Sequence, residues 1–303
     1  MRDVTVLMDW FPNPDHVALY MAQANGYFED AGLKVTLQPP SDPSDPPKLV
    51  STGKVELGIS YEPEQFISGQ QGLNIIAVGA LIPTALNSVM AVGDSPVKQL
   101  CDLSGHTVGD AGLSTDAAFL STIYKHCNID PSSVKEVNLK TSLVSAMVSG
   151  SVDATIGGYQ NIEGIQLQMM GQNPLIVPVS EAGVPNYDEL VLIANKDKLS
   201  SDTEYQQMVR DFLAAVQKGA QAAIDDPAAA VTAMTPVAKG YNKEQLQKMV
   251  EATVPLQNGP NGLLGMSESD WDSFGKWMLD NGLMDKAVAA SDVMTTEYLP
   301  SSS

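Results

Sequence analysis

The sequence predicts an α/β protein of two lobes with a cleft between them and a helical C-terminal tail. Short apolar runs rich in β-branched residues alternate with helical patterns over residues 4–187, which is typical of sheets covered by helices on both faces. The pattern is interrupted near 93–96 and 187–189, where we expect the chain to cross between the lobes. Helical periodicity dominates after residue 203.

The first lobe is predicted to comprise residues 1–94 and 188–303. A buried strand runs from Val4 to Asp9, and the turn-forming segment 12–15 separates it from a helix over 16–31 that Gly32 ends. The proline-rich segment 39–47 is interpreted as a loop. Strands at 33–37, 56–61, 75–80 and 88–92 follow, with helices at 48–52 and 64–71 between them. The regular alternation favours a parallel sheet.

The second lobe is predicted to comprise residues 95–187. Its strands are expected at 107–109, 134–139, 153–159 and 175–179, and its helices at 116–126 and 142–149. Ser114 or Thr115 is the expected cap of the first of these helices. The apolar segment 188–194 is predicted to return to the first lobe as a strand. The tail helices are expected at 203–225, 227–234, 242–252 and 267–280.

Composition excludes several classes of partner. The 303 residues carry a formal net charge of −19, with 36 acidic and 17 basic residues, so nucleic acids and anionic membranes are repelled. No apolar run is long enough for a membrane span. The three histidines are too scattered for a metal site, and no metal or cofactor is expected. Cys101 and Cys127 are expected to be buried thiols. A disulfide between them is the alternative.

The candidate site lies where predicted strands end, because ligands of α/β proteins bind at the carboxyl ends of strands. These strand ends carry aromatic rings that can stack on a ligand and carboxylates that can accept hydrogen bonds from its amino groups. They also carry asparagine side chains, which can donate and accept, an imidazole and a serine at a helix start. Together they favour a flat, hydrogen-bonding ligand. The predicted ligand-binding residues are Asp9, Trp10, Asn13, His16, Tyr61, Glu62, Glu64, Ser114, Tyr159, Asn161, Glu163 and Tyr187. No residue is assigned a catalytic role.

Four segments resemble a known family. They are 9–33, with the sequence Asp9-Trp10-Phe11-Pro12-Asn13 near its start, 54–63, 150–159 and 183–190. The opening segment is similar to that of the solute-binding proteins of ABC importers that carry thiamin pyrimidine precursors. The resemblance implies a type II periplasmic-binding-protein fold and delivery of a small heteroaromatic molecule to a membrane permease. It also implies ligand-binding roles for Trp10, Asn13, Tyr61 and Glu163.

The resemblance further implies a monomer outside the cytoplasm, periplasmic or lipid-anchored, although no leader is recognised before the first strand. Riboflavin or another flat vitamin is an alternative ligand. The family also includes a pyridoxal phosphate-dependent pyrimidine synthase, which would use His16 and a lysine such as Lys48 or Lys54 but needs a cysteine-rich motif. An amino-acid or sulfonate binder is a third possibility. Arginine clamps are usual for such anions, and neither Arg2 nor Arg210 is near a strand-end loop.

Overall fold

Two five-stranded sheets form the framework of the computed structural model, which describes residues 1–300. One sheet belongs to a unit made of Met1–Thr84 and the chain from Tyr187 onward, and the other to a unit made of Ala85–Asn186. The predicted lobe boundaries stay a prediction. Residues 301–303 of the predicted first lobe lie outside the described residues.

The strands are, in chain order, β1 (Arg2–Leu7), β2 (Leu33–Gln38), β3 (Leu57–Ser60), β4 (Ile75–Ile82), β5 (Asn87–Ala91), β6 (Thr107–Asp110), β7 (Lys135–Asn138), β8 (Ala154–Tyr159), β9 (Leu175–Pro178), β10 (Leu190–Asn195), β11 (Asn258–Gly259) and β12 (Gly262–Leu263). The α-helices are α1 (Val17–Ala24), α2 (Tyr27–Asp30), α3 (Asp45–Ser51), α4 (Glu62–Gln70), α5 (Ser114–Cys127), α6 (Leu143–Val148), α7 (Ile165–Met169), α8 (Lys196–Ser201), α9 (Thr203–Asp225), α10 (Pro227–Met234), α11 (Lys243–Thr253), α12 (Glu268–Asp280) and α13 (Ala290–Val293).

Both sheets are mixed, so the expectation of parallel sheets was wrong for one strand in each. The first sheet has the order β2-β1-β3-β10-β4, and β10 runs antiparallel to both of its neighbours. The second has the order β7-β6-β8-β5-β9, and β5 is antiparallel to β8 and β9. Each of these two strands follows directly on a passage from one unit to the other. Neither is therefore constrained by the helical crossover that joins parallel neighbours.

The strand β5 was expected in the first lobe, and this was wrong. It pairs with β8 and β9 of the second sheet, with Asn87 opposite Tyr159. An apolar strand carries no signal for which sheet completes its hydrogen bonding, and the preceding strands offered a near partner in sequence.

The core of the first unit lies around its sheet, where β3, β4 and β10 are buried along their whole length. Helix α9 packs against α1 so closely that a Cβ at Gly219 would lie 2.1 Å from the carbonyl oxygen of Ala18. The rings of Phe28 and Phe212 stack beside this crossing at 5.3 Å. Within residues 1–300, no helix is both long enough and apolar enough to cross a membrane.

Three local predictions were wrong for identifiable reasons. The helix expected over 16–31 is interrupted at Gly26, whose φ of 72° is left-handed. Helix α3 begins at Asp45, inside the expected proline loop, because prolines are tolerated in the first turn, where the backbone N–H groups lack helical partners. Helix α5 begins at Ser114 with Leu113 as its N-cap, and no side chain caps it.

The two cysteines form a disulfide, so the expectation of buried thiols was wrong. Cys101 lies in the short 3₁₀ helix Leu100–Leu103 and Cys127 is the last residue of α5, with their Cα atoms 5.2 Å apart. Cys101 is exposed and Cys127 is half-buried. The sequence separation of 26 residues could not reveal this, because it depends on how α5 folds back to the preceding segment.

Candidate functional site

The end of β1 in the first unit carries a buried chain of hydrogen bonds centred on Asp9. The parallel register pairs Leu7 with Gly58, so Asp9, two residues after Leu7, and Tyr61, three residues after Gly58, lie at the same end of the sheet. The Tyr61 hydroxyl donates to Asp9 Oδ2 at 3.0 Å, and His16 Nε2 lies 2.8 Å from Asp9 Oδ1. All three side chains are buried. The structure therefore brings these three predicted residues together.

Asn13 shapes the turn that places His16 beside Asp9. Its side-chain oxygen accepts from the backbone N–H of Asp15 at 2.8 Å, and its own N–H donates to His16 Nδ1 at 3.2 Å. Since Nδ1 accepts, the neutral imidazole carries its proton on Nε2 and donates it to Asp9. His16 is fully buried, so both of its nitrogens are engaged inside the protein.

The loop directly after Asp9 holds aromatic surface at the edge of this network. Trp10 is half-buried, and Phe11 is 52% exposed. The prolines at 12 and 14 restrict the backbone here and exclude a regular strand or helix, so the loop keeps these rings beside the strand ends.

Glu62 lies at the start of α4 and is linked to Asp188 at the point where the chain returns from the second unit. The Asp188 N–H donates to Glu62 Oε2 at 2.6 Å, and the Glu62 N–H donates back to the Asp188 carbonyl at 3.1 Å. Glu62 Oε1 has no hydrogen-bond partner within the described residues. Burial, with a further contribution from the Asp188 charge, raises the pKa of Glu62 well above its ordinary value. Burial also raises the pKa of Asp188 to about 6, although a hydrogen bond from Trp271 opposes this.

Replacing Glu62 with glutamine is expected to flatten the pH dependence of stability of the first unit. Because folding raises the pKa of Glu62, its stabilising protonated form is fully present below the ordinary glutamate pKa and is lost as the pH rises through the folded-state pKa. The wild type therefore loses stability as the pH rises above the ordinary glutamate pKa, and Glu62→Gln loses less. Urea unfolding followed by tryptophan fluorescence checks this, since all three tryptophans lie in the first unit. Glu29→Gln, at an exposed position, is the control, and an identical loss in wild type and Glu62→Gln would contradict the assignment.

Two other predicted residues of the first unit, Glu64 and Tyr187, differ in their burial and contacts. Glu64 is half-buried in the first turn of α4. Tyr187 is 2% exposed, its hydroxyl donates to Glu189 Oε2 at 2.8 Å, and its ring lies 5.3 Å from that of Phe274. These contacts integrate Tyr187 into the packing of the first unit, so its predicted role as a stacking ring stays a prediction without geometric support.

In the second unit, three predicted residues cluster after β8. Tyr159 is half-buried and ends the strand, and a π-helical turn over Gln160–Gly164 follows it. Glu163 Oε2 accepts from the Tyr159 N–H at 2.8 Å, which fixes the turn, and Asn161 is buried within it. Short π-helical turns are frequent at functional sites. Ser114 lies exposed at the start of α5.

The second unit also contains a buried acid that the sequence analysis missed. Asp116, in the first turn of α5, is 1% exposed, and its Oδ2 accepts from the Ala111 N–H at 3.0 Å. Asn87 lies beside it, with its Nδ2 3.5 Å from Asp116 Oδ1. Burial raises the pKa of Asp116 to about 7. In the sequence, nothing distinguishes it from other acidic residues in the first turn of a helix.

The two arginines are committed elsewhere in the first unit. Arg2 donates to the Glu204 carbonyl, and Arg210 pairs with Glu297 and lies over the Tyr298 ring at 4.6 Å.

Across residues 1–300, no cluster of three or more histidine, cysteine or acidic side chains is arranged to hold a metal ion. A cavity of about 550 Å³ in the first unit lies where β4 begins, lined by Ile76, Lys196 and others, and contains none of the predicted site residues.

Each unit's strand-end region combines ring surface with hydrogen-bond acceptors. Half-buried rings provide stacking surface, and carboxylate and amide oxygens accept hydrogen bonds from amino groups. The arginines, which form the strongest clamps for anions, take no part in either region.

Comparison with known proteins is consistent with this chemistry. The sequence matches the NMT1/THI5-like family over residues 13–230. A relative from Haemophilus influenzae that is named for thiamine biosynthesis is 32% identical over 291 residues, covering 95% of this chain and 90% of the relative. The formylaminopyrimidine-binding protein of Halalkalibacterium halodurans is 29% identical over 301 residues, covering 98% and 90%. A 4-amino-5-hydroxymethyl-2-methylpyrimidine phosphate synthase of Legionella pneumophila is 23% identical over 300 residues, covering 98% and 92%.

A solved structure with the same fold is the ligand-binding component of an ABC-type import system from Staphylococcus aureus, determined with zinc bound. Its TM-score is 0.73 at 15% identity, with 98% of each chain covered. This confirms the predicted type II periplasmic-binding-protein fold. Since the family match covers more than half of the sequence, the chain belongs to the NMT1/THI5-like family.

Proposed function

We propose that this protein is an extracytoplasmic solute-binding protein that captures a thiamin pyrimidine precursor or a similar small heteroaromatic. The ligand is bound at the strand-end loops and delivered to the permease of an ABC importer. The observation that carries the proposal is the placement of half-buried Trp10 shortly after β1 and of half-buried Tyr159 at the end of β8, each followed by buried acids or amides. The formylaminopyrimidine-binding relative supports the ligand class.

The disulfide supports the proposed compartment. Disulfides persist in oxidising surroundings such as the periplasm and are rare in the cytosol, where thiols are kept reduced. Cys101 is exposed, so a reducing compartment would have access to the bond between Cys101 and Cys127.

The synthase named among the relatives defines the competing function. A synthase that takes its substrate from its own histidine needs that imidazole to be accessible, whereas His16 is fully buried and both of its nitrogens are hydrogen-bonded. Lys48 and Lys54 are exposed on or just after α3, and Lys54 precedes β3 at the sheet edge opposite Tyr61. These placements favour binding over synthesis.

A thermal-shift panel tests the proposal. The probes are 4-amino-5-hydroxymethyl-2-methylpyrimidine, its formylamino analogue, thiamin, riboflavin and pyridoxal phosphate. A ligand at one hundred times its Kd stabilises the folded state by about 2.7 kcal/mol, and we expect that stabilisation from an aminopyrimidine. No stabilisation by any flat nitrogen heterocycle would contradict the proposal. An absorbance band from a lysine–pyridoxal adduct would favour the synthase.

Variants of two tryptophans locate the binding surface. Trp10→Ala is expected to weaken binding of the responding heterocycle by about 10- to 100-fold, because stacking of a base on an aromatic ring contributes about 1–3 kcal/mol. Trp277→Ala is the matched control, since Trp277 is also half-buried but packs on Phe274 at 5.4 Å in the helical tail. If both changes altered the affinity equally, Trp10 would not be a ligand-binding residue.

A further inference from the structure

Asp116 links three strands of the second sheet at the edge where Tyr159 and Ser114 lie. Its Oδ2 accepts from the Ala111 N–H after β6, and its Oδ1 lies beside the Asn87 amide at the start of β5. Asn87 Oδ1 in turn accepts from the Gly157 N–H of β8 at 3.1 Å. That bond orients the Asn87 amide so that its NH₂ group points at Asp116.

Gly157 packs directly on this carboxylate. A Cβ at Gly157 would lie 3.1 Å from Asp116 Oδ1, and the glycine has a left-handed φ of 94°. The acid is therefore enclosed by β5, the loop after β6 and β8, and it has no route to solvent of its own. A buried acid with this many partners is positioned by the fold rather than by chance packing.

Asp116 occupies, with the protein's own charge, a helix start that could otherwise attract an external anion. The N–H groups and the dipole at the N-terminus of a helix as long as α5 attract anions. Here the protein's own carboxylate is buried in the first turn. The carboxylate of Asp110 lies in the same loop and accepts from the Gly112 N–H at 2.7 Å.

We propose that Asp116 is a specificity-determining residue that makes the second unit's part of the site reject anionic ligands, so that neutral or cationic heterocycles are selected over their phosphorylated or sulfonated forms. This inference rests on the proposed function and deepens it, because it names the charge class of the ligand. Asp116 acts by its buried charge and by holding Ala111 and Asn87, without touching the ligand itself.

The mechanism predicts a pH profile. Burial raises the pKa of Asp116 to about 7, so its charge is present at pH 8 and largely removed at pH 6. The groups facing it are the Asp110 carboxylate, the Asn87 amide and the backbones of Ala111, Leu113 and Gly157. Burial also raises the pKa of Asp110.

Calorimetric titration with a matched pair of probes tests the proposal. The probes are 4-amino-5-hydroxymethyl-2-methylpyrimidine and its phosphate monoester, each titrated at pH 6 and pH 8. We expect Asp116→Asn, which keeps an oxygen for the Ala111 N–H, to bind the phosphate ester about tenfold more tightly than the wild type at pH 8, since removing a charge several ångströms away has an effect of this order. Affinity for the neutral probe should change by less than about threefold. The preference for the neutral probe over the ester should also rise more from pH 6 to pH 8 in the wild type than in Asp116→Asn, because the second ionisation of the ester, with a pKa of about 6, affects both proteins equally.

Asp94→Asn is the control, because it removes the same charge from an exposed position of the same unit. An equal gain in ester affinity for Asp94→Asn and Asp116→Asn, or none for either, would overturn the proposal. If neither probe binds the wild type, the proposed function is wrong, independently of the role of Asp116. The inference is then decided by NMR: an Ala111 amide that titrates near neutral pH in the wild type but not in Asp116→Asn supports it, and one that titrates in neither overturns it.

Discussion

Replacing Asp9 with alanine is expected to lower the free energy of unfolding of the first unit by about 3 to 5 kcal/mol. The change leaves two buried donors, the Tyr61 hydroxyl and His16 Nε2–H, without the acceptor that each now reaches within 3.0 Å. Asp9→Asn should also be costly. An asparagine presents only one acceptor oxygen, so its NH₂ group would face one of the two donors.

Urea unfolding followed by tryptophan fluorescence measures this effect, because the signal comes from the first unit alone. Asp3→Asn, on the strand that leads to Asp9, is the control. Asp3 is exposed and pairs with the exposed Lys34, so its replacement should change stability by no more than about 0.5 kcal/mol. If Asp9→Ala were as mild as Asp3→Asn, the Asp9 network would not organise the site.

Replacing both cysteines with serine is expected to destabilise the second unit by about 3 to 4 kcal/mol. A cross-link that closes a loop of 26 residues lowers the conformational entropy of the unfolded chain. In the chain-entropy model, this loss corresponds to a free energy of about 3 to 4 kcal/mol. Serine is tolerated at both positions because Cys101 is exposed and Cys127 half-buried. The effect should be confined to the unit that contains the bond.

Hydrogen exchange resolved by peptide measures the stability of the second unit, which has no tryptophan. Peptides from α5 and β6 should exchange faster in the double variant, and the tryptophan-detected unfolding of the first unit serves as the internal reference. Wild-type protein treated with a thiol reductant should behave like the double variant. Unchanged exchange in the double variant would show that the bond does not stabilise the second unit.

The sequence was most informative where periodicity is long and local. The helices at 203–225 and 227–234 have the predicted bounds in the structure. Asp202 and Asp226 cap them with side-chain hydrogen bonds, and an amphipathic stripe defines the first one.

The sequence was least informative where distant segments meet. The sheet membership of β5, the orientation of β10 and the Cys101–Cys127 bond all depend on which parts of the chain become neighbours. The hydrophobic pattern within one β-strand does not show which strand becomes its neighbour.

The same distinction applies to the candidate site. Strand-end logic correctly grouped Asp9, His16 and Tyr61, because parallel strands bring their ends together. It could not separate Tyr187, whose hydroxyl and ring are used within the first unit, from rings that remain half-buried such as Trp10. It also missed Asp116, since only the fold shows that this helix residue turns back toward Ala111.

A crystal structure of the protein with 4-amino-5-hydroxymethyl-2-methylpyrimidine tests the central claim most directly. The account predicts that the pyrimidine ring stacks on Trp10 or Tyr159, with carboxylate or amide oxygens around its amino group. A ligand bound at a surface that includes neither ring would contradict it.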